Sequence, residues 1–213
     1  MEDGLYLKDR AEAGRLLAKK LADFKNADNT VILALPRGGA AVAQEVAKVL
    51  NLPLDLVVVR KIGHPLNPEF AIGAITDNGH LVGIEGDLVD IDPEWLKVEI
   101  DRQLKEAKRR KELYLNGKTI DISGKTVILV DDGIATGMSM LAAIKEVEDK
   151  GARKIVMAVP IVPKDAIEMF SASVDEMRFV VTPQFFLGAI GAYYDQFPQV
   201  SDEEVIEIMK KYG

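Results

Sequence analysis

Short aliphatic runs and stretches with helically spaced apolar positions take turns along the chain. Val31-Ile32-Leu33-Ala34-Leu35, Leu54 to Val59, Val127-Ile128-Leu129-Val130, Ile155 to Val159 and Arg178-Phe179-Val180-Val181 read as core strands. The third of these, three of its four residues Val or Ile, has the composition of a strand buried on both faces. Lys8 to Lys25 places Ala11, Leu16, Leu17, Leu21 and Phe24 near one helical face, with Asp9 as a cap. Further helices are expected over Ala40 to Leu50, Pro93 to Leu115, Met138 to Lys150, Lys164 to Phe170 and Asp202 to Tyr212. Asp92 and Ser201 or Asp202 are their capping candidates, and Pro93 suits a first turn. The first strand, helix and second strand make a βαβ unit, so the loop after the first strand lies at the carboxyl edge of a sheet. Ala71 to Thr76 and His80 to Ile84 flank Asp77-Asn78-Gly79 and read as a hairpin, since Asn-Gly favours the tight turn.

Composition narrows the picture. A chain of 213 residues suits one domain, here 1–213, with no repeat, low-complexity tract or linker to divide it. Its 48% hydrophobic and 29% charged residues are those of a soluble globular protein. A formal net charge of −7, with basic and acidic residues interspersed, argues against a general nucleic-acid or membrane surface but leaves room for a local anion site. Without cysteine there is no disulfide, thiol nucleophile or thiolate metal site. The first ten residues are charged and no apolar run reaches roughly 18 residues, so a cytoplasmic location is expected.

The chemistry concentrates at Asp131-Asp132-Gly133-Ile134-Ala135-Thr136-Gly137-Met138-Ser139. An acidic pair ends a strand, and a small, hydroxyl-rich turn opens a helix whose first N–H groups are unpaired and suit a phosphate. Two carboxylates repel a phosphate, so their partners would be hydroxyls or a bridging divalent cation. A sugar phosphate offers hydroxyls to the acids and a phosphate to the loop. The alternative is a plain βα turn, in which Asp-Asp-Gly serves only to reverse the chain. In Pro36-Arg37-Gly38-Gly39, two glycines permit close approach of a ligand and Arg37 offers a forked donor, although such a sequence alone also makes a structural turn. Arg60 and Lys61 follow an aliphatic run and either extend the anion site or form a solvated strand end. The two histidines, His64 and His80, lack metal spacing. Lys108-Arg109-Arg110-Lys111 reads as a solvated helix face, and Trp95 as packing; if that helix returns to the sheet edge, Arg110 or Tyr114 reaches the anion site. From Thr182 to Phe197, five aromatics broken by glycines suit a core plug, a dimer contact or a wall for a flat heterocycle.

The stretch from Val127 to Ser139 resembles the phosphoribosyl pyrophosphate motif of the type I phosphoribosyltransferases: aliphatic strand, acidic pair, two variable positions, Thr-Gly and a hydroxyl residue. The resemblance implies an α/β fold of that type, with a central parallel sheet of about five strands, helices on both faces and a small hood from parts of 71–92 and 182–200. It implies that Asp131 and Asp132 hold the ribose hydroxyls, that Ala135, Thr136, Gly137, Met138 and Ser139 wrap the 5-phosphate, and that Arg37, Gly38 and Gly39 grip the pyrophosphate. A similar Arg-Lys pair in adenine phosphoribosyltransferases implies pyrophosphate contacts by Arg60 and Lys61, followed by a mobile lid over Ile62 to Phe70. A Pro, Phe, Gly succession similar to that of hypoxanthine-guanine phosphoribosyltransferases puts Phe185 over the base; where that family has an acid four places after the glycine, this chain has Ala192. Arg60-Lys61-Ile62-Gly63, Asn67-Pro68-Glu69-Phe70 and Tyr193-Tyr194-Asp195-Gln196-Phe197 before Ser201-Asp202 look like the predicted phosphoribosyltransferases of unassigned acceptor base. The implied activity is Mg²⁺-dependent transfer of phosphoribosyl from phosphoribosyl pyrophosphate to a nucleobase-like acceptor. Mg²⁺ would be held through Asp131 or Asp132 and the substrate, and a homodimer is expected. Unusual backbone geometry is expected between Pro36 and Gly39. Two other readings stand beside it: a binding protein that senses phosphoribosyl pyrophosphate without turnover, and an unrelated nucleotide-binding α/β protein such as a methyltransferase.

Overall fold

A computed structural model describes residues 6–83 and 91–212; the expected hood positions 84–90, including the hairpin end at Ile84, lie outside them. The chain runs α1 (Arg10–Lys20), β1 (Thr30–Ala34), α2 (Gly38–Leu50), β2 (Leu54–Leu56), β3 (Val59–His64), β4 (Asn67–Thr76), β5 (Leu81–Gly83), α3 (Pro93–Leu115), β6 (Thr126–Val130), α4 (Met138–Asp149), β7 (Lys154–Ile161), α5 (Lys164–Phe170), β8 (Glu176–Val181) and α6 (Asp202–Met209). Single 3-10 turns occupy Ala22–Phe24 and Ile190–Tyr193.

Five strands form a parallel sheet in the order β2-β1-β6-β7-β8. Every residue of β1 and β6 is buried, as their aliphatic sequences require. Ile32, Ile128 and Val156 face a core completed by α1, α2 and α6, while Leu33, Leu129 and Met157 face α4 and α5. Burying each such side chain contributes about 1.5 to 3 kcal/mol. The caps act as expected: Asp9 Oδ1 accepts from Glu12 N at 2.8 Å, Asp92 Oδ1 from Glu94 N at 3.0 Å, and Ser201 and Glu204 form a reciprocal capping box.

Three expectations need correction. The strand read over Leu54 to Val59 ends at Leu56, and Val59 opens a second, antiparallel sheet of order β3-β4-β5. Arg60 and Lys61 therefore sit within a strand, and the segment expected as a mobile lid, Ile62 to Phe70, is a hairpin turning at Pro65-Leu66. Register shifts on either side of Gly63 interrupt the alternation that would have revealed it, and a Cβ at Gly63 would overlap the Pro68 carbonyl. Ile62, Ile72, Ile75 and Ile91 bury one face of this sheet against Trp95, Leu96 and Ile100. The basic run of α3 is also only partly solvated. Arg109 is 54% exposed, but Lys111 Nζ pairs with the buried Asp77 at 2.5 Å and Arg110 is largely covered.

Candidate active site

The site is set by where two neighbouring strands send the chain. β1 and β6 lie side by side in register, Ala34 opposite Val130, yet the chain leaves β1 for β2 on one flank and β6 for β7 on the other. Such a divergence opens a crevice at the carboxyl edge. Leu35 N donates to Val130 O at 2.9 Å, so the loops after both strands begin in contact.

Glycine sets how closely those loops approach. A Cβ at Gly38 would overlap the Asp132 carboxylate, and one at Gly39 would lie 2.7 Å from Val130 O and 2.9 Å from Asp131 Cα. The Pro36–Arg37 peptide is cis, the unusual geometry expected of this loop. Arg37 Nη1 lies 3.4 Å from Asp202 Oδ1, which also accepts from Tyr114 Oη at 2.7 Å. That bond and burial raise the Tyr114 phenol above its usual range, burial contributing most.

Asp131 Oδ1 accepts from Asp132 N at 2.8 Å. Burial, then the charge of Asp132, raises the Asp131 carboxyl well above the ordinary range, against the opposing pull of Lys61. Asp132 is held from outside the loop. Arg10 Nε donates to its Oδ2 at 2.8 Å, and Tyr194 Oη donates to its backbone carbonyl at 2.8 Å. Downstream, Gly137 has φ +80° at the N-cap of α4 and supplies no side-chain cap, so first-turn N–H groups remain for a ligand. A Cβ there would stand 2.9 Å from the Phe170 ring.

Arg60 Nε donates to Gln103 Oε1 at 2.9 Å. Burial, and next the like charge of Arg110, lowers its pKa. A cleft of about 840 Å³ brings together Arg37, Gly38, Arg60, Lys61, Asp131, Asp132, Ala135, Thr136, Gly137 and Ser139. Gly39 lies behind the acid pair, and the Met138 side chain is buried against Ala71, Ala74 and Ala142. Phe185 is 84% exposed and stands outside the cleft, whose wall on that side is Gly188 to Gly191 with Phe197. Tyr193 and Tyr194 plug the core beside Leu7 and Ile161.

Sequence reasoning missed Arg10, which carried no local signal, and it placed Arg110 in the cleft only conditionally. Arg110 does line it, whereas Tyr114 turns to Asp202. Among the described residues no group of three or more His, Cys, Asp or Glu could enclose a metal. Asp131 and Asp132 could contribute one or two oxygens to a cation that a ligand also coordinates.

The fold belongs to the open α/β class that binds ligands at the carboxyl edge of a parallel sheet, and the cleft lies there. The model of the family described as phosphoribosyl transferase domain matches residues 6–196, and the chain belongs to the phosphoribosyltransferase family. The crystal structure of TT1426 from Thermus thermophilus is similar at TM-score 0.80 and 42% identity, over 97% of this chain and 99% of that one. "Putative phosphoribosyl transferase Rv0571c" of Mycobacterium tuberculosis is 42% identical over 207 residues, 95% of this chain and 46% of its own length. The chain thus spans about half the length of the curated relatives it matches most extensively. Ribose-phosphate pyrophosphokinase of Pyrococcus furiosus is 36% identical over 73 residues, 33% of this chain and 26% of its own length. No described helix is long and apolar enough to cross a membrane.

Proposed function

We propose that the cleft binds phosphoribosyl pyrophosphate and transfers its phosphoribosyl group to a nucleobase-like acceptor, releasing pyrophosphate. The observation that carries this reading is the meeting, in one cleft, of an acid pair, an uncapped helix start and the cations Arg37, Arg60 and Lys61. Each feature fits a different part of the substrate. The N–H groups from Ala135 to Ser139 suit the 5-phosphate, Asp131 and Asp132 the ribose hydroxyls, and Arg37, Gly38, Gly39, Arg60 and Lys61 the pyrophosphate.

In the reaction, the C1–oxygen bond to pyrophosphate breaks while a ring nitrogen of the acceptor bonds to C1, through a cation-like sugar. Hydrogen bonds from the hydroxyls to Asp131 and Asp132 fix the ring, and the two carboxylates favour the positive charge growing on it. Arg37, Arg60 and Lys61 stabilise the departing pyrophosphate. Phe185 is assigned to the acceptor, with β4, β5 and parts of 182–200 as a hood; from its exposed position it would have to move inward. The donor set fits Mg²⁺, which commonly takes one or two carboxylates together with substrate oxygens. When bound through Asp131 or Asp132, Mg²⁺ would neutralise part of the pyrophosphate charge.

The test is pyrophosphate release from phosphoribosyl pyrophosphate and Mg²⁺ across a panel of purine and pyrimidine bases. Saturable binding without release from any base would leave a sensor, and absence of binding would sink the reading. Cytoplasmic operation as a homodimer belongs to the same proposal, and sedimentation of the purified chain tests the dimer.

A further inference from the structure

The cleft acids are tied to a cation that the proposed chemistry does not use. Arg10 opens α1, far from the acid pair in sequence, and its side chain is only 11% exposed. Three contacts fix it. Nε meets Asp132 Oδ2 at 2.8 Å, Nη1 donates to Pro198 O at 2.7 Å, and the guanidinium lies 3.7 Å above the Phe197 ring. Phe197 in turn stacks on Tyr194 at 4.8 Å, and Tyr194 Oη holds the Asp132 carbonyl. Both the carboxylate and the backbone of one residue are thus gripped by a single assembly built from the two ends of the fold. A surface ion pair would need no such framing.

We infer that Arg10 is a positioning residue: it aims Asp132 at the ribose diol and occupies Oδ2, so that the acid pair does not take up a divalent cation before substrate arrives. This rests on the phosphoribosyl transfer reading for its ligand. Two unopposed carboxylates a residue apart would attract a cation by themselves, whereas a guanidinium on one of them cancels one charge and takes one of the four oxygens. Asp131 Oδ1 already accepts from Asp132 N, so two oxygens remain, and a cation there needs substrate oxygens to complete its shell. The device acts through Asp132, and Arg10 need not touch any reacting atom.

The first experiment uses no substrate. Mn²⁺ is titrated into the purified chain and followed by electron paramagnetic resonance, with free Mn²⁺ as the signal. The unmodified protein should leave Mn²⁺ free, while Arg10→Gln should gain one site of roughly millimolar affinity. Arg10→Gln combined with Asp132→Asn should lose that site again. Arg10→Lys keeps the charge and not the fork, so it should bind no Mn²⁺ yet lose some affinity for phosphoribosyl pyrophosphate; that loss carries the test if the glutamine protein fails to fold, and unchanged affinity would then overturn the inference. The second measurement is affinity for phosphoribosyl pyrophosphate by calorimetry. It should fall about 10- to 100-fold in Arg10→Gln, the range seen when a group that orients a ligating residue is removed, and less in Arg10→Lys. If turnover is found, KM for that substrate should rise more than KM for the base. Mn²⁺ uptake by the unmodified protein, or by Arg10→Lys, would overturn the inference, as would unchanged substrate affinity in Arg10→Gln. Failure of the unmodified protein to bind phosphoribosyl pyrophosphate would instead strike the functional reading, leaving the Mn²⁺ result to stand or fall alone.

Discussion

Asp131 and Asp132 are adjacent in sequence but differ in setting, one raised by burial and the other tied to Arg10. Their joint replacement by asparagine removes two charged acceptors. At about 1.5 to 3 kcal/mol for each hydrogen bond to a charged group, affinity for phosphoribosyl pyrophosphate should drop about a hundredfold or more. Calorimetry with Mg²⁺ present checks this, and an unchanged melting temperature would separate lost binding from lost fold. Gly38→Ala probes the same acids from behind. Its methyl group would push on the Asp132 carboxylate, so a loss of about 1 to 3 kcal/mol, divided between stability and ligand affinity, is expected from urea unfolding and calorimetry together. The acid pair and the 135–139 turn, which meet in one cleft, were legible because strand end, acids, small turn and helix start follow one another directly in the sequence. Arg10 was not, because its partner lies 122 residues away and nothing in its own neighbourhood distinguishes it from other basic residues of a helix.

The helices of the central sheet were readable from spacing and caps, as α3 illustrates by spanning Pro93–Leu115 with Asp92 at its cap. The break between β2 and β3 was not. Val57 and Val58 are as buried as β2, so the apolar run continues from Leu56 to Val59 across a point where the chain changes sheets. The consequence for the lid is specific. Hydrogen exchange should find amides of β3 protected without ligand, and protection gained on adding phosphoribosyl pyrophosphate should be confined to the turn, where Leu66 is 89% exposed. Ile62→Ala should cost about 2 to 4 kcal/mol through the cavity it leaves under α3, measured by urea unfolding. For the segment after β8, Phe185→Ala should raise KM for the base several-fold and leave affinity for the pyrophosphate substrate unchanged. Because that ring is solvated here, a large loss of stability in the same variant would contradict its placement.

Across the whole molecule, titrating groups pull stability in opposite directions. The Glu106 carboxyl is held at about 2, chiefly by hydrogen bonding to Arg109 and then, against some burial, by Arg110. A depressed acid stabilises the fold above its unfolded value near 4.5 and loses that contribution as pH falls toward 2. Glu106→Gln should therefore flatten the loss of stability between those pH values by about 1 kcal/mol, a modest figure because the pair is partly solvated; urea unfolding at several pH values measures it. Asp55 and Asp131, raised by burial, work the other way and favour the folded state as pH falls. The long-range ties have a consequence for biosynthesis. Leu7 exchanges backbone hydrogen bonds with Tyr193 and Asp195, Lys8 O accepts from Gln196 N, and Arg10 reaches Asp132 while resting on Phe197 and Pro198. A nascent chain on the ribosome can therefore pack α1 on α2, pair β1 with β6 and form the 135–139 turn before the segment around Phe197 has emerged. During that interval Arg10 can reach Asp132 but lacks its rest on Phe197 and Pro198, so the framing of the acid pair is completed only when that segment clears the exit tunnel.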